Sequence, residues 1–464
     1  MNIIFILTDQ QHYRTHKATG FPQARTPHLD RLAAEGLNFR QHMVANPVCS
    51  PSRGAIWTGK LPSETGLCGN GCRFAGEPET FVTPLNEAGY HTAHFGKMHL
   101  VPCLNRIDPH PAYGFREFLC GEGDQWLLHD DYNNWFRCNY PMDFLQHYVK
   151  MIEAGYDQPH TARIREDQTH SAWVTRHGMD FLDRQKGADQ PFFLSLGYFD
   201  PHHAFNPCEP YASLWEEAEV PDPVFNPDQW KTMPSFLQNV FKDSVFHRDP
   251  AYMRRVIRAY HAMMTHLDDC IGKLLQKLED NGQLENTLIV YSSDHGEFLG
   301  NHGRLFKGGY LLDDLLRVPL FVWHGNPRKR RQATIDSVTS SLDFRPTFLT
   351  LAGLPQEPTR CSQAFLDPDL NVHPDGPRGF AVSEWRVAPY DPPNDILSLR
   401  TGQYRLTVYG ESDEGELYDH AVDPDELNNR YTDPAYRITR DVLEAQFGEA
   451  IPPLGKWEKP ETLW

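Results

Sequence analysis

Asn2-Ile3-Ile4-Phe5-Ile6-Leu7-Thr8-Asp9-Gln10 opens the chain after its first methionine. The apolar part is far too short to cross a membrane. A continuous apolar run of this length suits a strand covered on both faces, as in a parallel or mixed α/β sheet. Similar runs recur at Phe192 to Leu196, Leu288 to Tyr291 and Pro319 to Trp323. Polar residues follow three of them: Asp9-Gln10, Asp200-Pro201-His202-His203 and Asp294-His295. Open α/β sheets place their sites beyond the carboxyl ends of strands, so three distant segments are expected to converge on one crevice.

Helical patterns lie between the runs. Thr26-Pro27, then Leu29, Leu32 and Ala33, then Gly36, reads as an N-cap, a proline in the first turn and a glycine stop. Met253 to Asn281 carries Ile257, Tyr260, Met264, Leu267, Ile271, Leu274 and Leu278 at three- and four-residue steps, the stripe of a long amphipathic helix. Past residue 365 the chain turns proline-rich around short strand-like pieces, Leu397 to Arg400 and Tyr404 to Tyr409. The expected fold is α/β, with a large domain over residues 1–365 built on a central mixed sheet between helices. A smaller α+β subdomain over 366–464 is expected to complete the cleft.

The charge balance is 44 basic against 62 acidic residues, a net −18. That disfavours nucleic acid or an anionic membrane as partner, and leaves room for a small anion in a locally basic pocket. The N-terminus lacks the basic start and small-residue cleavage site of a signal peptide, which points to a cytoplasmic chain. Nine cysteines are dispersed along the chain, so free thiols are expected, with Cys68 and Cys72 the one local pair. No second close pair completes a zinc ligand set.

The string Cys49-Ser50-Pro51-Ser52-Arg53-Gly54 reads as the start of a helix at Pro51. A nucleophile there faces the positive end of the helix dipole, and Arg53 is placed to hold an oxyanion. A cysteine at a helix start is by itself most often a small buried residue; the full string changes that weighting.

In this string the chain resembles the sulfatase family of the alkaline phosphatase superfamily, whose signature is Cys-x-Pro-Ser-Arg. The resemblance extends to Gly96-Lys97-Met98-His99, to Pro201-His202, and to Ser293-Asp294-His295-Gly296-Glu297 with Gly303, Lys307 and Arg317-Val318-Pro319. Glu416-Leu417-Tyr418-Asp419, Asp423-Pro424 and Glu426-Leu427-Asn428-Asn429 are similar to the family's C-terminal subdomain. It implies an alkaline phosphatase-like fold and a formylglycine, made from Cys49 by a maturation enzyme, as nucleophile. It also implies one divalent cation held by Asp9, Asp294, His295, position 49 and Gln10. Ca²⁺ is the first choice, with Mn²⁺ or Mg²⁺ as alternatives because His295 brings an imidazole to an oxygen-rich shell. Arg53, Lys97 and Lys307 would stabilise the transferring group. His202, alone or with Lys307, would protonate the leaving group, and His99 would act as the later base. Asn70 resembles a substrate-side asparagine, although a Gly-Asn-Gly turn accounts for it equally well.

Gln10 and His295, where many sulfatases carry aspartate and asparagine, resemble choline-sulfatases and phosphonate monoester hydrolases. The latter carry tyrosine and threonine at the positions of Lys97 and His99, so the intact pair here favours sulfate esters. The implied activity is hydrolysis of a sulfate monoester. The alternatives are a phosphonate monoester or phosphodiester hydrolase, and an unmatured chain that only binds anions or metal. A choline substrate would call for an aromatic cage, with Trp126, Tyr132, Trp135 and Trp385 as candidates. Carbohydrate and aryl sulfates remain open, and the reading leaves room for a homo-oligomer.

Overall fold

The run at the N-terminus forms β1 (Asn2–Thr8), near the middle of a large mixed sheet. The structure, a computed structural model, describes residues 1–101, 110–123, 130–155, 157–242, 249–354, 356, 359–373, 379–386, 395–410 and 412–450. Among these the sheet is completed by β2 (Leu37–Met43), β3 (His91–Gly96), β4 (Glu117–Cys120), β5 (Phe192–Gly197), β6 (Thr287–Ser293), β7 (Arg317–His324), β8 (Ala333–Ile335) and β9 (Thr339–Ser340). The order is β4-β3-β5-β1-β6-β7-β2-β8, with β9 also on β2. Strands β4, β3, β5, β1 and β6 run parallel, and β7 is antiparallel to both β6 and β2.

Alternation along β1 fills two cores. Ile4 and Ile6 enter one layer with the helices α1 (Pro27–Glu35), α3 (His170–Arg184) and α4 (Pro250–Asp280). Ile3, Phe5 and Leu7 enter the other, with Ile56 and Trp57 of α2 (Cys49–Thr58) and Phe344 and Phe348 of α5 (Phe344–Leu351). Each fully buried aliphatic or aromatic side chain contributes about 1.5–3 kcal/mol, so β1 is held from both sides. α1 starts after Thr26 with proline in its first turn and stops at Gly36, and α4 covers the long amphipathic stretch.

β3 is a strand that apolar runs do not reveal. His91-Thr92-Ala93-His94-Phe95-Gly96 is half polar, yet all of it past His91 is buried. The ring of His94 is satisfied locally, with Nδ1 3.0 Å from Ser195 Oγ and Nε2 3.2 Å from the Gly96 carbonyl. At the strand end Gly96 adopts φ +110°, and a Cβ there would stand 2.0 Å from the Gly197 carbonyl oxygen. Only glycine permits this approach of β3 to β5.

The C-terminal part is a four-stranded antiparallel sheet of β10 (Phe380–Trp385), β11 (Ile396–Thr401), β12 (Tyr404–Tyr409) and β13 (Gly415–Asp419). It is latched to the large sheet by buried charge. Arg400 Nε lies 3.1 Å from Asp313 Oδ1, Asp313 N–H donates to Glu426 Oε2 at 2.8 Å, and Arg405 Nε donates to Glu426 Oε1 at 2.6 Å. None of the described cysteines, eight of the nine, is in a disulfide, and Cys68 and Cys72 are not paired with each other; Cys103 lies outside the described residues. No helix of the described residues is long and apolar enough to cross a membrane.

Two predictions follow from buried charge. Breaking a buried ion pair by removing one partner costs about 3–5 kcal/mol. Arg405→Ala, which takes the guanidinium from the buried Glu426 carboxylate, is therefore expected to lose that much in urea unfolding, and a loss under about 1 kcal/mol, the scale of a surface pair, would refute it. Burial holds the rings of His16, His42, His94 and His261 neutral, with pKa values of about 3. Unfolded, each titrates near about 6.5. The unfolded chain thus binds more protons between these values, so stability is full above about pH 6.5 and falls as pH drops, by up to ~1.4 kcal/mol per unit for each ring. Unfolding midpoints that stay level from about pH 7.5 to about pH 5 would contradict this linkage.

Candidate active site

Three strand ends meet where the topology brings them. Asp9 leaves β1, Asp294 leaves β6 beside it, and the Asp294 N–H donates to the Thr8 carbonyl at 3.1 Å. Both aspartates are fully buried. Gln10 takes φ +62°. Its N–H donates to Asp294 Oδ1 at 3.1 Å and its carbonyl accepts from Tyr260 Oη of α4 at 2.8 Å, so long-range bonds hold this left-handed turn.

The helix expected to start at Pro51 starts two residues earlier, at Cys49, with Val48 as its cap. Cys49 Sγ therefore sits in the first turn at the positive end of the helix. It lies 2.9 Å from Lys307 Nζ, 3.2 Å from His295 Nε2, 3.6 Å from Asp9 Oδ1 and 4.0 Å from Lys97 Nζ. Burial would raise the thiol's pKa, but the ammonium groups of Lys307 and Lys97 and the ring of His295 pull it well below its ordinary value. The spot occupied by sulfur favours an anion.

Arg53, one turn along α2, is wholly buried. Its Nε donates to Asp294 Oδ2 at 2.7 Å, one terminal nitrogen to Asp9 Oδ2 at 3.3 Å, and the other to the Lys97 carbonyl at 2.7 Å. The Lys97 ammonium pairs with Asp9. Burial alone would lower the Lys97 pKa, yet Asp9 and the Cys49 sulfur raise it. Lys307 Nζ also reaches Gln10 Oε1 at 2.8 Å and His202 Nε2 at 2.7 Å.

The cation ligands expected from the sequence are brought together, with one exception. One atom each of Asp9, Cys49, Asp294 and His295 lies within 4.8 Å of the others, all four residues being buried. His295 Nε2 stands 3.6 Å from Asp9 Oδ1 and 3.7 Å from Asp294 Oδ1. Adjacent ligands of an octahedral cation with bonds of about 2.4 Å are about 3.4 Å apart, so the set fits an ion of calcium's size. Gln10 is the exception: its amide is engaged by Lys307, by His203 Nδ1 at 2.7 Å and by Glu297.

Other expected residues sit differently. His99 (φ +54°) donates its backbone N–H to Glu122 Oε1 at 2.8 Å, and its Nδ1 is buried without a hydrogen-bond partner among the described residues. No described contact joins His99 to Cys49 Sγ. Asn70 Oδ1 accepts from the Ser50 N–H at 3.0 Å, in the first turn of α2. Trp385 packs its indole on Gly309, two residues beyond Lys307. Among the described residues, Tyr132 and Trp135 lie apart from Trp385. Tyr132 is wholly buried with its hydroxyl on the Gln168 carbonyl, and Trp135 packs beside it in the α3–α4 layer. Trp385 belongs to a different cluster, and Trp126 lies outside the described residues.

Sequence reasoning gave no role to Glu297 or His203, which hold the Gln10 amide, nor to Glu122, which holds the His99 backbone. Glu297 accepts from the Leu299 N–H at 3.0 Å, and burial raises its pKa. Its place directly after Asp294-His295-Gly296 was the available signal for it.

The family model described as Sulfatase matches residues 1–354, and one described as N-sulphoglucosamine sulphohydrolase, C-terminal, matches residues 300–451. The chain is 27% identical to an N-acetylglucosamine-6-O-sulfatase of Bacteroides thetaiotaomicron, over 94% of this chain and 83% of the relative. It is 26% identical to a choline-sulfatase of Rhizobium meliloti, over 96% and 85%. The solved structure of the phosphonate monoester hydrolase of Agrobacterium radiobacter superposes with a TM-score of 0.80 at 21% identity, covering 97% of this chain and 95% of that one. At that identity the likeness establishes the fold alone. With the family model spanning three-quarters of the sequence, the chain belongs to the sulfatase family.

Proposed function

We propose that this chain is a sulfuric ester hydrolase that cleaves a sulfate monoester to an alcohol and sulfate, with formylglycine made from Cys49 as its nucleophile. The observation that carries the reading is the setting of Cys49 Sγ, at a helix N-terminus among Lys307, His295, Asp9 and Lys97. It is a built anion site with two buried carboxylates beneath it. The likeness to an N-acetylglucosamine-6-O-sulfatase and to a choline-sulfatase supports the sulfate ester.

A hydrated aldehyde at position 49 would supply one hydroxyl to attack sulfur and a second whose deprotonation lets sulfate depart. A divalent cation bound by Asp9, Asp294 and His295 would lower the pKa of the attacking hydroxyl and offset charge on the sulfate. The remaining work falls to this chain's side chains. Arg53 fixes both carboxylates and, through the Lys97 carbonyl, the start of the segment after β3. Lys97 and Lys307 present ammonium groups to the equatorial oxygens of the transferring group. His202 turns Nδ1 toward the His203 carbonyl, so that nitrogen carries the proton and Nε2 accepts from Lys307 Nζ. In this tautomer the proton for the departing oxygen resides on Lys307, and His202 aims it. His99, whose Nδ1 has no hydrogen-bond partner among the described residues, serves as base to the second hydroxyl in this reading. Asn70 acts through the Ser50 N–H by orienting the first turn of α2, and Trp385 shapes the leaving-group side of the cleft from behind Gly309.

Residues 1–365 form the catalytic domain in this reading, and 366–464 the subdomain that closes one side. A maturation enzyme is the required partner. A second reading, phosphonate monoester hydrolysis, is favoured by Gln10 and His295. It is opposed by Lys97 and His99.

Active protein is expected to carry formylglycine at position 49, seen by mass spectrometry of the peptide spanning Cys49; turnover by a homogeneous unmodified cysteine would sink the mechanism. Asp294→Ala should lose bound metal and turnover together, and full occupancy with normal rates would remove Asp294 from the site. Catalytic efficiency should be higher on sulfate than on phosphonate monoesters. The double change Lys97→Tyr with His99→Thr should erode the sulfate activity more, read as a ratio of kcat/KM values. A wild-type preference for phosphonates, or equal loss of both activities, would overturn the choice.

A further inference from the structure

A second group of metal-binding side chains gathers at the end of β4, outside the site described above. Cys120 closes β4 opposite Gly96 of β3, and Glu122 follows two residues later. His110 reaches them from the segment ahead of β4. Cys120 Sγ lies 3.1 Å from Glu122 Oε1, and His110 Nε2 lies 3.2 Å from the same oxygen. One ligand atom from each of the three lies within 4.8 Å of the others.

His110 and Glu122 carry buried atoms short of partners. The side chains of His110 and Glu122 are 3% and 2% exposed. Glu122 Oε2 and both ring nitrogens of His110 are buried with no hydrogen bond among the described residues; Nε2 approaches the carboxylate without the alignment of one. A buried polar group left unsatisfied costs about 1–3 kcal/mol, more if charged. A cation between these side chains would take up His110 Nε2 and the Glu122 carboxylate together.

The donors are an imidazole nitrogen, a thiol sulfur and a carboxylate oxygen, a mixed set that suits zinc with its fourth position open to water. Bonds of about 2.0 Å to nitrogen and oxygen and about 2.3 Å to sulfur put tetrahedral neighbours about 3.3–3.5 Å apart. The observed 3.1 and 3.2 Å need only a slight spread. The backbone is already braced. Cys120 N–H donates to Asp131 Oδ2 and Glu122 N–H to Asp130 Oδ2, each at 2.8 Å. Cysteine spacing alone conceals this group, because it holds a single cysteine.

We propose that His110, Cys120 and Glu122 bind a zinc-type divalent cation, distinct from the one at Asp9 and Asp294. Glu122 Oε1 also accepts the His99 N–H, so this cation ties the end of β4 to the segment carrying Lys97 and His99. Its test does not depend on catalysis. Co²⁺ is titrated into the full chain carrying Cys49→Ser, which removes the other thiol found in a ligand cluster. A thiolate-to-cobalt absorption band in the near ultraviolet should saturate at one equivalent and disappear when Zn²⁺ is added. It should be absent in Cys49→Ser/Cys120→Ser, and Cys49→Ser/His110→Ala should bind about tenfold more weakly or worse. No band, or a band that survives loss of Cys120, overturns the site. Should the Cys120 variant fail to fold, a full-strength band with unchanged affinity in the His110 variant overturns it equally.

Discussion

Arg53 stands between two carboxylates, shielded with them from bulk solvent. The guanidinium, Asp9 and Asp294 are all wholly buried, and such groups persist only when geometry and hydrogen bonds are complete. Here they are. Three nitrogens of one rigid fork reach the ends of β1 and β6 and the carbonyl after β3. The fork sets the roll of α2, and the roll of α2 aims Cys49. Lysine in its place would present a single point charge and could not span the three.

The C-terminal sheet serves the same end from outside. Glu384 N–H of β10 donates to the Ala45 carbonyl at 2.9 Å, and Asn46 Nδ2 returns a bond to the Glu384 carbonyl at 2.6 Å. These bonds hold the approach to Cys49. The buried latch of Arg400 and Arg405 on Asp313 and Glu426 keeps β10 in place. The string Glu426-Leu427-Asn428-Asn429, family-like in sequence, thus has a physical reason: its glutamate accepts from both the sheet and the Asp313 N–H.

Strands β1, β5, β6 and β7 were legible because both faces are buried and their runs are almost wholly apolar, Ser195 of β5 being the one serine inside them. β3 was not, because His91, Thr92 and His94 break the apolar run, and only the partner strand shows where the ring of His94 finds its bonds. The nucleophile and its charged neighbours were legible as motifs. Their supports were not. Tyr260 read as one member of an apolar stripe, yet its hydroxyl bonds the Gln10 carbonyl across 250 positions. Glu122 and His203 act through contacts that no local pattern announces. Tyr132 and Trp135 show the converse: they have the chemistry of a cation cage, and their rings pack in the core.

The account turns on Arg53 holding the two carboxylates, and equilibrium unfolding of Arg53→Lys measures that most directly. In chelator the variant should lose about 3–5 kcal/mol relative to the parent. Added Ca²⁺ or Mn²⁺ should restore part of the loss by binding the carboxylates in the folded state. A loss below about 1 kcal/mol, the scale of an exposed pair, with no response to cation would contradict the claim.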